Sequence, residues 1–144
     1  VMMAHPVLVA ARRVAGNWVF LYGGYAMAAW DLFLDPQMVA SNRWRWTFDG
    51  AHVPFQPEIP LSNTFGWLLT GMALIAILHQ ILPRDRRKSS ASFGAVDVFL
   101  VWTFFAGIVS NLFFFHRPGI ALIGGFAFAI FFVPYAFSRW LGRP

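Results

Sequence analysis

Four long apolar runs constrain this chain most, at residues 14–34, 64–82, 95–115 and 118–141. Each run has about the 20 residues that a helix needs to cross the hydrocarbon core of a bilayer. Inside that core only helices and closed barrels satisfy their backbone hydrogen bonds, so each run predicts a transmembrane helix. We therefore expect an all-α integral membrane protein, a bundle of about four transmembrane helices in a single domain covering residues 1–144.

The composition also indicates a membrane protein. Hydrophobic residues make up 58% of the chain and charged residues 12%, whereas about 25% of a soluble domain is charged. The absence of cysteine excludes disulfides and Cys-ligated zinc. The chain opens on apolar residues without the pattern of a signal peptide, so we expect it to be part of a longer chain.

The basic residues predict the orientation of the helices. The chain has a net charge of +5, and most of its basic residues lie in short stretches between the apolar runs, which indicates topology signals and no nucleic-acid partner. One side of the predicted bundle carries Arg12, Arg13, Arg84, Arg86, Arg87, Lys88, Arg139 and Arg143, and the other carries Arg43, Arg45 and Arg117. This excess predicts that both ends of the segment face the cytoplasm.

Two acidic residues near the end of the first predicted helix are the main candidates for chemistry. Asp31 and Asp35 are four residues apart and share one helical face with Gly24 and Ala28. Small residues on that face predict that it packs against protein. Carboxyl groups at that depth need a partner, water or a proton. A close pair can hold one shared proton at neutral pH, which makes it a proton donor.

Further polar residues are expected at the same membrane level. Asn63 and Trp67 share a face at the start of the second predicted helix, and Asn111 lies near the end of the third. The long loop adds Trp44 and Trp46. Helix capping by Asn63 and interfacial anchoring by the tryptophans are alternative explanations that stay open.

Motifs for several reaction classes are missing from the sequence. It has no phosphate loop, dinucleotide fingerprint, HExxH or GxSxG motif. A single acidic pair argues against a membrane prenyltransferase, and four scattered histidines argue against a di-iron desaturase. We therefore expect neither a metal nor an organic cofactor.

Two stretches carry a family resemblance: WDLFLDPQMVASNRWRW from Trp30 and PLSNTFGWLLTG from Pro60. They resemble integral-membrane carotenoid biosynthesis proteins of the bisanhydrobacterioruberin and gamma-carotene hydratase type. The resemblance implies a bacterial or archaeal cell membrane, a long polyene substrate, and other carotenoid pathway enzymes as partners. It implies as motif residues Asp31, Asp35, Trp44, Trp46, Asn63 and Trp67.

Hydration of a terminal alkene in an acyclic carotenoid needs an acid that forms a tertiary carbocation and a base that activates water. The hypothesis is that Asp31 and Asp35 act as this catalytic pair. Tryptophan ring faces would stabilise the cation, and Asn63 would hold the water. Two alternatives remain: a noncatalytic membrane subunit or carrier, and an end-group cyclase, which also begins by protonating an alkene.

Overall fold

A computed structural model of the chain describes residues 2–47, 50–83 and 94–141, and this part is mainly helical. The helices are α1 (Ala4–Val14), α2 (Val19–Ala40), α3 (Leu61–Ile81), α4 (Gly94–Val109) and α5 (Pro118–Trp140). A 3-10 turn (Gly16–Trp18) precedes α2, and a π-helical stretch (Ser110–Phe114) extends α4. Strands β1 (His52–Val53) and β2 (Gln56–Pro60) form a small antiparallel hairpin between α2 and α3. The predicted all-α class is confirmed.

Three helices in the described part of the chain are long and apolar enough to cross a membrane. They are α3, α4 with its π-helical extension, and α5. Their positions agree with the runs at 64–82, 95–115 and 118–141 to within a few residues. Spans of this kind are what a membrane protein requires.

The helix predicted from the first apolar run, residues 14–34, agrees less well with the structure. The helix there, α2, begins at Val19 and continues beyond Asp35 to Ala40. Its 22 residues reach the length of a span, but α2 is not among the three helices that are also apolar enough. Its two aspartates and two glycines lower its hydropathy, and its central position in the bundle covers them.

The helix continues through Pro36 because side chains from elsewhere bond the nearby carbonyl groups. Proline has no N–H, so the carbonyl of Leu32 loses its usual partner in the helix. Gln56 Nε2 donates to that carbonyl at 3.1 Å, and Arg117 donates to the carbonyl of Pro36 at 3.2 Å. Gln56 of the hairpin thus replaces the missing helical hydrogen bond, and Arg117 of the α4–α5 turn adds a second bond that holds this end of α2.

Helices α1, α3 and α5 pack against α2, α3 most extensively, and α4 packs mainly against α5. Gly24 of α2 lies so close to α3 that a Cβ there would come within 2.7 Å of the backbone nitrogen of Met72. On another side, the ring of Phe33 fits between Gly107 of α4 and Gly124 of α5. These close approaches confirm that the small-residue face of α2 packs against protein.

Helix α1 packs at the end of the bundle opposite Asp35, where α3 and α5 terminate. Arg12 donates to the carbonyls of His79, Leu82 and Pro83, and Arg13 donates to the carbonyl of Ser138. These bonds satisfy carbonyls that the helix ends would leave without partners. We call this end, with Arg12, Arg13 and Arg139, the basic end.

Candidate functional site: a buried carboxyl pair

The two aspartates lie side by side in the interior, bridged by one amide group. Asp31 is 2% exposed and Asp35 is 1% exposed. The side-chain nitrogen of Asn63, in the first turn of α3, donates to Asp35 Oδ2 at 2.6 Å and to Asp31 Oδ2 at 3.1 Å. One NH₂ group thus supplies a hydrogen bond to each carboxyl group.

Two indoles from the loop after α2 cover Asp35 on its outer side. Trp44 Nε1 donates to Asp35 Oδ1 at 2.7 Å, and the indole of Trp46 lies close enough to this carboxyl group to act on it. The two tryptophans are 44% and 41% exposed, so they form the outer wall of the site. Helix α2 ends at Ala40, and Trp44 follows four residues later, so the loop turns back over the end of the helix that carries Asp35.

A charged pair lies next to the carboxyl groups. Arg117 and Glu58 form a salt bridge at 3.0 Å between Nη1 and Oε1. The same guanidinium nitrogen donates to the carbonyl of Pro36, which directly follows Asp35. Glu58 of β2 is also close enough to Asp35 to act on it electrostatically. The ion pair therefore ties β2 and the α4–α5 turn to the helix that carries the aspartates.

The other two predicted site residues, Trp67 and Asn111, are not part of the hydrogen-bonded group described above. Trp67 stacks edge-on against Trp30 of α2, with 6.5 Å between the ring centroids. Asn111 is fully buried and donates to the carbonyl of Gly107 at 2.8 Å. The backbone carbonyl of Asn111 accepts the backbone N–H of Arg117 at 2.7 Å, which places Asn111 at the Asp35 end as predicted.

The residues at this end suit a site held together by hydrogen bonds. Across residues 2–47, 50–83 and 94–141, no group of three or more His, Cys, Asp or Glu side chains is placed to hold a metal ion. Amide and indole N–H groups point at the carboxyl oxygens instead. Such donors stabilise a negative charge on a buried carboxyl group.

An apolar groove of about 520 Å³ runs between α4 and α5. It is lined by Phe104, Ile108, Leu112, Pro118, Ala121, Leu122, Gly125 and Phe126. Leu112 and Pro118 lie at the end of the bundle that holds Asp35, and the groove extends from them toward the basic end. From residue 118 to residue 126 it follows about 12 Å of helix.

Comparison with known families decides what kind of protein carries this site. A family model described as carotenoid biosynthesis protein matches residues 2–132. The chain belongs to the carotenoid biosynthesis protein family. No curated protein and no solved structure gives a significant match. Family membership supports a role in carotenoid biosynthesis and confirms the resemblance seen in the sequence at that level.

The part of the chain that matches the carotenoid biosynthesis family contains every candidate site residue, from Asp31 to Asn111. It ends within α5, before Tyr135 and Arg139. Those two side chains bond Asp97 at the basic end, where they join α4 to α5. The carboxyl pair therefore lies wholly in the matched region.

Sequence reasoning missed three residues that shape the site: Gln56, Glu58 as a partner of Arg117, and Arg117 itself. One signal for Gln56 was present, because a proline within a helix leaves the carbonyl four residues earlier in need of a donor. The sequence does not say which side chain supplies it. The buried Oε1 of Gln56 has no hydrogen-bond partner within the described part of the chain.

Proposed function

We propose that this protein adds water across a terminal carbon–carbon double bond of an acyclic carotenoid by acid catalysis. The observation that carries the proposal is the amide of Asn63 bridging two buried carboxyl groups, at 2.6 and 3.1 Å. One such pair can hold a proton and a negative charge together. Membership of the carotenoid biosynthesis family supports a polyene substrate.

The reaction needs two proton transfers that the pair can perform. A protonated carboxyl group gives its proton to the terminal alkene, whose π electrons form the new C–H bond and leave a tertiary carbocation. A water oxygen then bonds to the cation, and a carboxylate accepts the proton that this water loses. Alkene and water are consumed, a tertiary alcohol is formed, and the pair ends with one proton, as it began.

Neighbouring residues supply the remaining requirements of the proposed reaction. Trp67, packed on Trp30 beside Asp31, offers an aromatic face to a cation, an interaction worth about 2 kcal/mol when desolvated. Asn111 Oδ1 is buried and has no hydrogen-bond partner among the residues described, so it is a candidate acceptor for water. The apolar groove between α4 and α5 is a candidate path for the polyene chain.

The structure also bears on the alternative of a noncatalytic membrane subunit or carrier. That alternative needs the aspartates to pair with basic residues of a partner protein. Both carboxyl groups are buried, and their hydrogen-bond donors come from Asn63 and Trp44 of the same chain. This arrangement favours an internal use of the pair. An end-group cyclase would use the same proton donor and differs only in how the cation is consumed.

The test is an assay of the purified full-length protein with lycopene-type carotenoids. A hydratase gives a product heavier by one water, a cyclase gives an isomer of unchanged mass, and a noncatalytic protein gives neither. In D₂O the hydrated product should carry one deuterium on carbon. A product of unchanged mass, or none, would contradict the proposal.

Variants of the pair then test the assigned residues. Asp31→Asn and Asp35→Asn keep the side-chain size and remove the transferable proton, so each should lower the hydration rate by about 10² to 10⁴. Asp97→Asn, at the basic end, is the matched control and should keep the rate per folded protein within a few fold. If both site variants hydrate the polyene at the parent rate, the proton donor lies elsewhere.

A further inference from the structure

We propose that the two carboxyl groups have fixed and different protonation states in the resting protein: Asp31 is the protonated acid, Asp35 is the carboxylate, and Trp44 is a positioning residue that keeps the charge on Asp35. The inference deepens the proposed hydration and rests on it for its chemical use. Its evidence is the direction of the hydrogen bonds, which does not depend on the substrate.

The donors identify the ionised member of the pair. Asp35 accepts a bond on each oxygen, from Trp44 on Oδ1 at 2.7 Å and from Asn63 on Oδ2 at 2.6 Å. Indole and amide N–H groups can only donate, so the oxygens they bond must accept. Both oxygens of a carboxylate are strong acceptors, whereas the hydroxyl oxygen of a carboxylic acid is a weaker acceptor that must also place its own proton, so short bonds on both oxygens favour the ionised form. Asp35 is therefore best described as the carboxylate.

Asp31 is bonded differently. Its Oδ2 accepts from Asn63 at 3.1 Å, longer than the 2.6 Å bond to Asp35, and charged acceptors generally form the shorter bonds. Oδ1 of Asp31 remains able to carry a proton. Two buried carboxylates bridged by a single amide would repel each other, which favours one proton on the less strongly bonded member.

The charged groups that face the pair form an ion pair of their own. Glu58 of β2 faces Asp35, but its charge is paired with Arg117 at 3.0 Å. Arg117 also bonds the carbonyl of Pro36, so its positive charge lies beside the residue next to Asp35. From α3 the pair receives the neutral amide of Asn63. Because the charges of Glu58 and Arg117 offset each other, the assignment rests on the two N–H donors of Asp35, Trp44 and Asn63.

The assignment divides the proposed reaction between the residues. Asp31 gives its proton to the alkene, and Asp35 accepts the proton from water. Trp44 acts through its N–H group, by stabilising the negative charge of Asp35. This role differs from that expected from the sequence, in which its ring face stabilised the carbocation.

Infrared spectroscopy of the full-length protein tests the assignment without any substrate. A protonated carboxylic acid gives a C=O stretch separate from that of carboxylates and sensitive to D₂O; an ester-free detergent removes overlapping lipid bands. At neutral pH the parent protein should show this band, Asp31→Asn should abolish it, and Asp35→Asn should retain it. The assignment fails if the band is absent from the parent, survives in Asp31→Asn, or disappears in Asp35→Asn.

The role of Trp44 is tested in the Asp31→Asn background, where Asp35 is the remaining carboxyl group of the pair. Trp44→Phe keeps an aromatic ring and removes the N–H donor, so part of the band should return as Asp35 takes up a proton. Trp102→Phe, at an exposed position on α4, is the matched control and should restore no band. If Trp44→Phe also restores none, Trp44 does not hold the charge.

The two proposals can fail separately. A protein that shows the expected bands but forms no alcohol would keep the protonation assignment and lose the hydratase. One that forms the alcohol but loses its band in Asp35→Asn would keep the hydratase and reverse the roles of the two aspartates.

Discussion

At the scale of single residues, Pro36 explains why an uncharged glutamine is fully buried near two carboxyl groups. Asp31 and Asp35 keep their helical spacing only if α2 stays helical through residue 36. The carbonyl of Leu32 lies within that turn, and a buried carbonyl without a donor costs about 1–3 kcal/mol. Gln56 Nε2 supplies the donor at 3.1 Å. The hairpin therefore helps to hold the geometry of the site.

A double-mutant cycle between Pro36 and Gln56 tests this explanation. Gln56→Met removes the donor to Leu32, while Pro36→Ala restores a backbone N–H that can bond the same carbonyl. The cost of Gln56→Met in the free energy of unfolding should therefore fall by about 1 kcal/mol in the Pro36→Ala background. Denaturation of all four proteins in mixed detergent micelles measures the coupling. Additive effects would show that Gln56 is not replacing the helical bond.

Residue spacing in the sequence predicted part of the site and not the rest. Four-residue spacing places Asp31 and Asp35 on one face, and the start of α3 puts Asn63 at their level; both follow from helix geometry alone. The bond from Trp44 to Asp35 depends on the path of an irregular loop, which residue patterns do not encode. The contacts of Gln56 and Arg117 depend on the same folding of loops over the helix end.

At the scale of secondary structure elements, the packing of α2 against α3 fixes the distance across which Asn63 bridges the aspartates. Gly24 and Gly71 allow this close approach: a Cβ on Gly71 would lie 2.9 Å from the Cβ of Met27 and 3.1 Å from the carbonyl oxygen of Gly24. Small residues at helix contacts in membranes commonly have this function. The two helices can therefore be neither separated nor shifted without changing the site.

Gly24→Ala should disrupt this contact. The new methyl group would meet the backbone of Met72, whose nitrogen lies at 2.7 Å, and overpacking typically costs about 1–3 kcal/mol. Gly66→Ala on α3 is the matched control, because a Cβ there has open space, and it should leave stability unchanged or slightly raised. Unfolding in mixed micelles measures both. Equal stability of the two variants would contradict the packing described.

Hydropathy predicted the outer helices better than the central one. The runs at 64–82, 95–115 and 118–141 lie near α3, α4 with its extension, and α5, because lipid-facing helices are apolar over most of their surface. Helix α2 extends six residues beyond the run at 14–34. Hydropathy did not predict this extension, because the polar residues of α2 are covered by protein and not by lipid. The amphipathic α1 and the hairpin were not predicted, because neither forms a long apolar run.

At the scale of the whole molecule, polar groups are divided between two opposite ends. The Asp35 end holds the carboxyl pair with Arg43, Arg45 and Arg117. The basic end holds Arg12, Arg13 and Arg139; the predicted basic residues Arg84, Arg86, Arg87, Lys88 and Arg143 lie outside the described residues. Asp97 is paired with Arg139 at 2.6 Å there. Because basic residues are enriched on the cytoplasmic side of membrane proteins, we propose that the basic end faces the cytoplasm.

Cysteine labelling on intact cells tests this orientation in the full-length protein. Ala51 is exposed just before β1 at the Asp35 end, and Asn17 is exposed in the turn between α1 and α2 at the basic end. This chain has no cysteine of its own, so each new thiol in it is a unique target for a membrane-impermeant maleimide. Ala51→Cys should be labelled from outside and Asn17→Cys only after permeabilisation. Labelling of both variants in permeabilised cells is the control that both thiols are reactive. The reverse pattern would place the carboxyl pair at the cytoplasmic surface and leave its geometry, and the chemistry argued from it, unchanged.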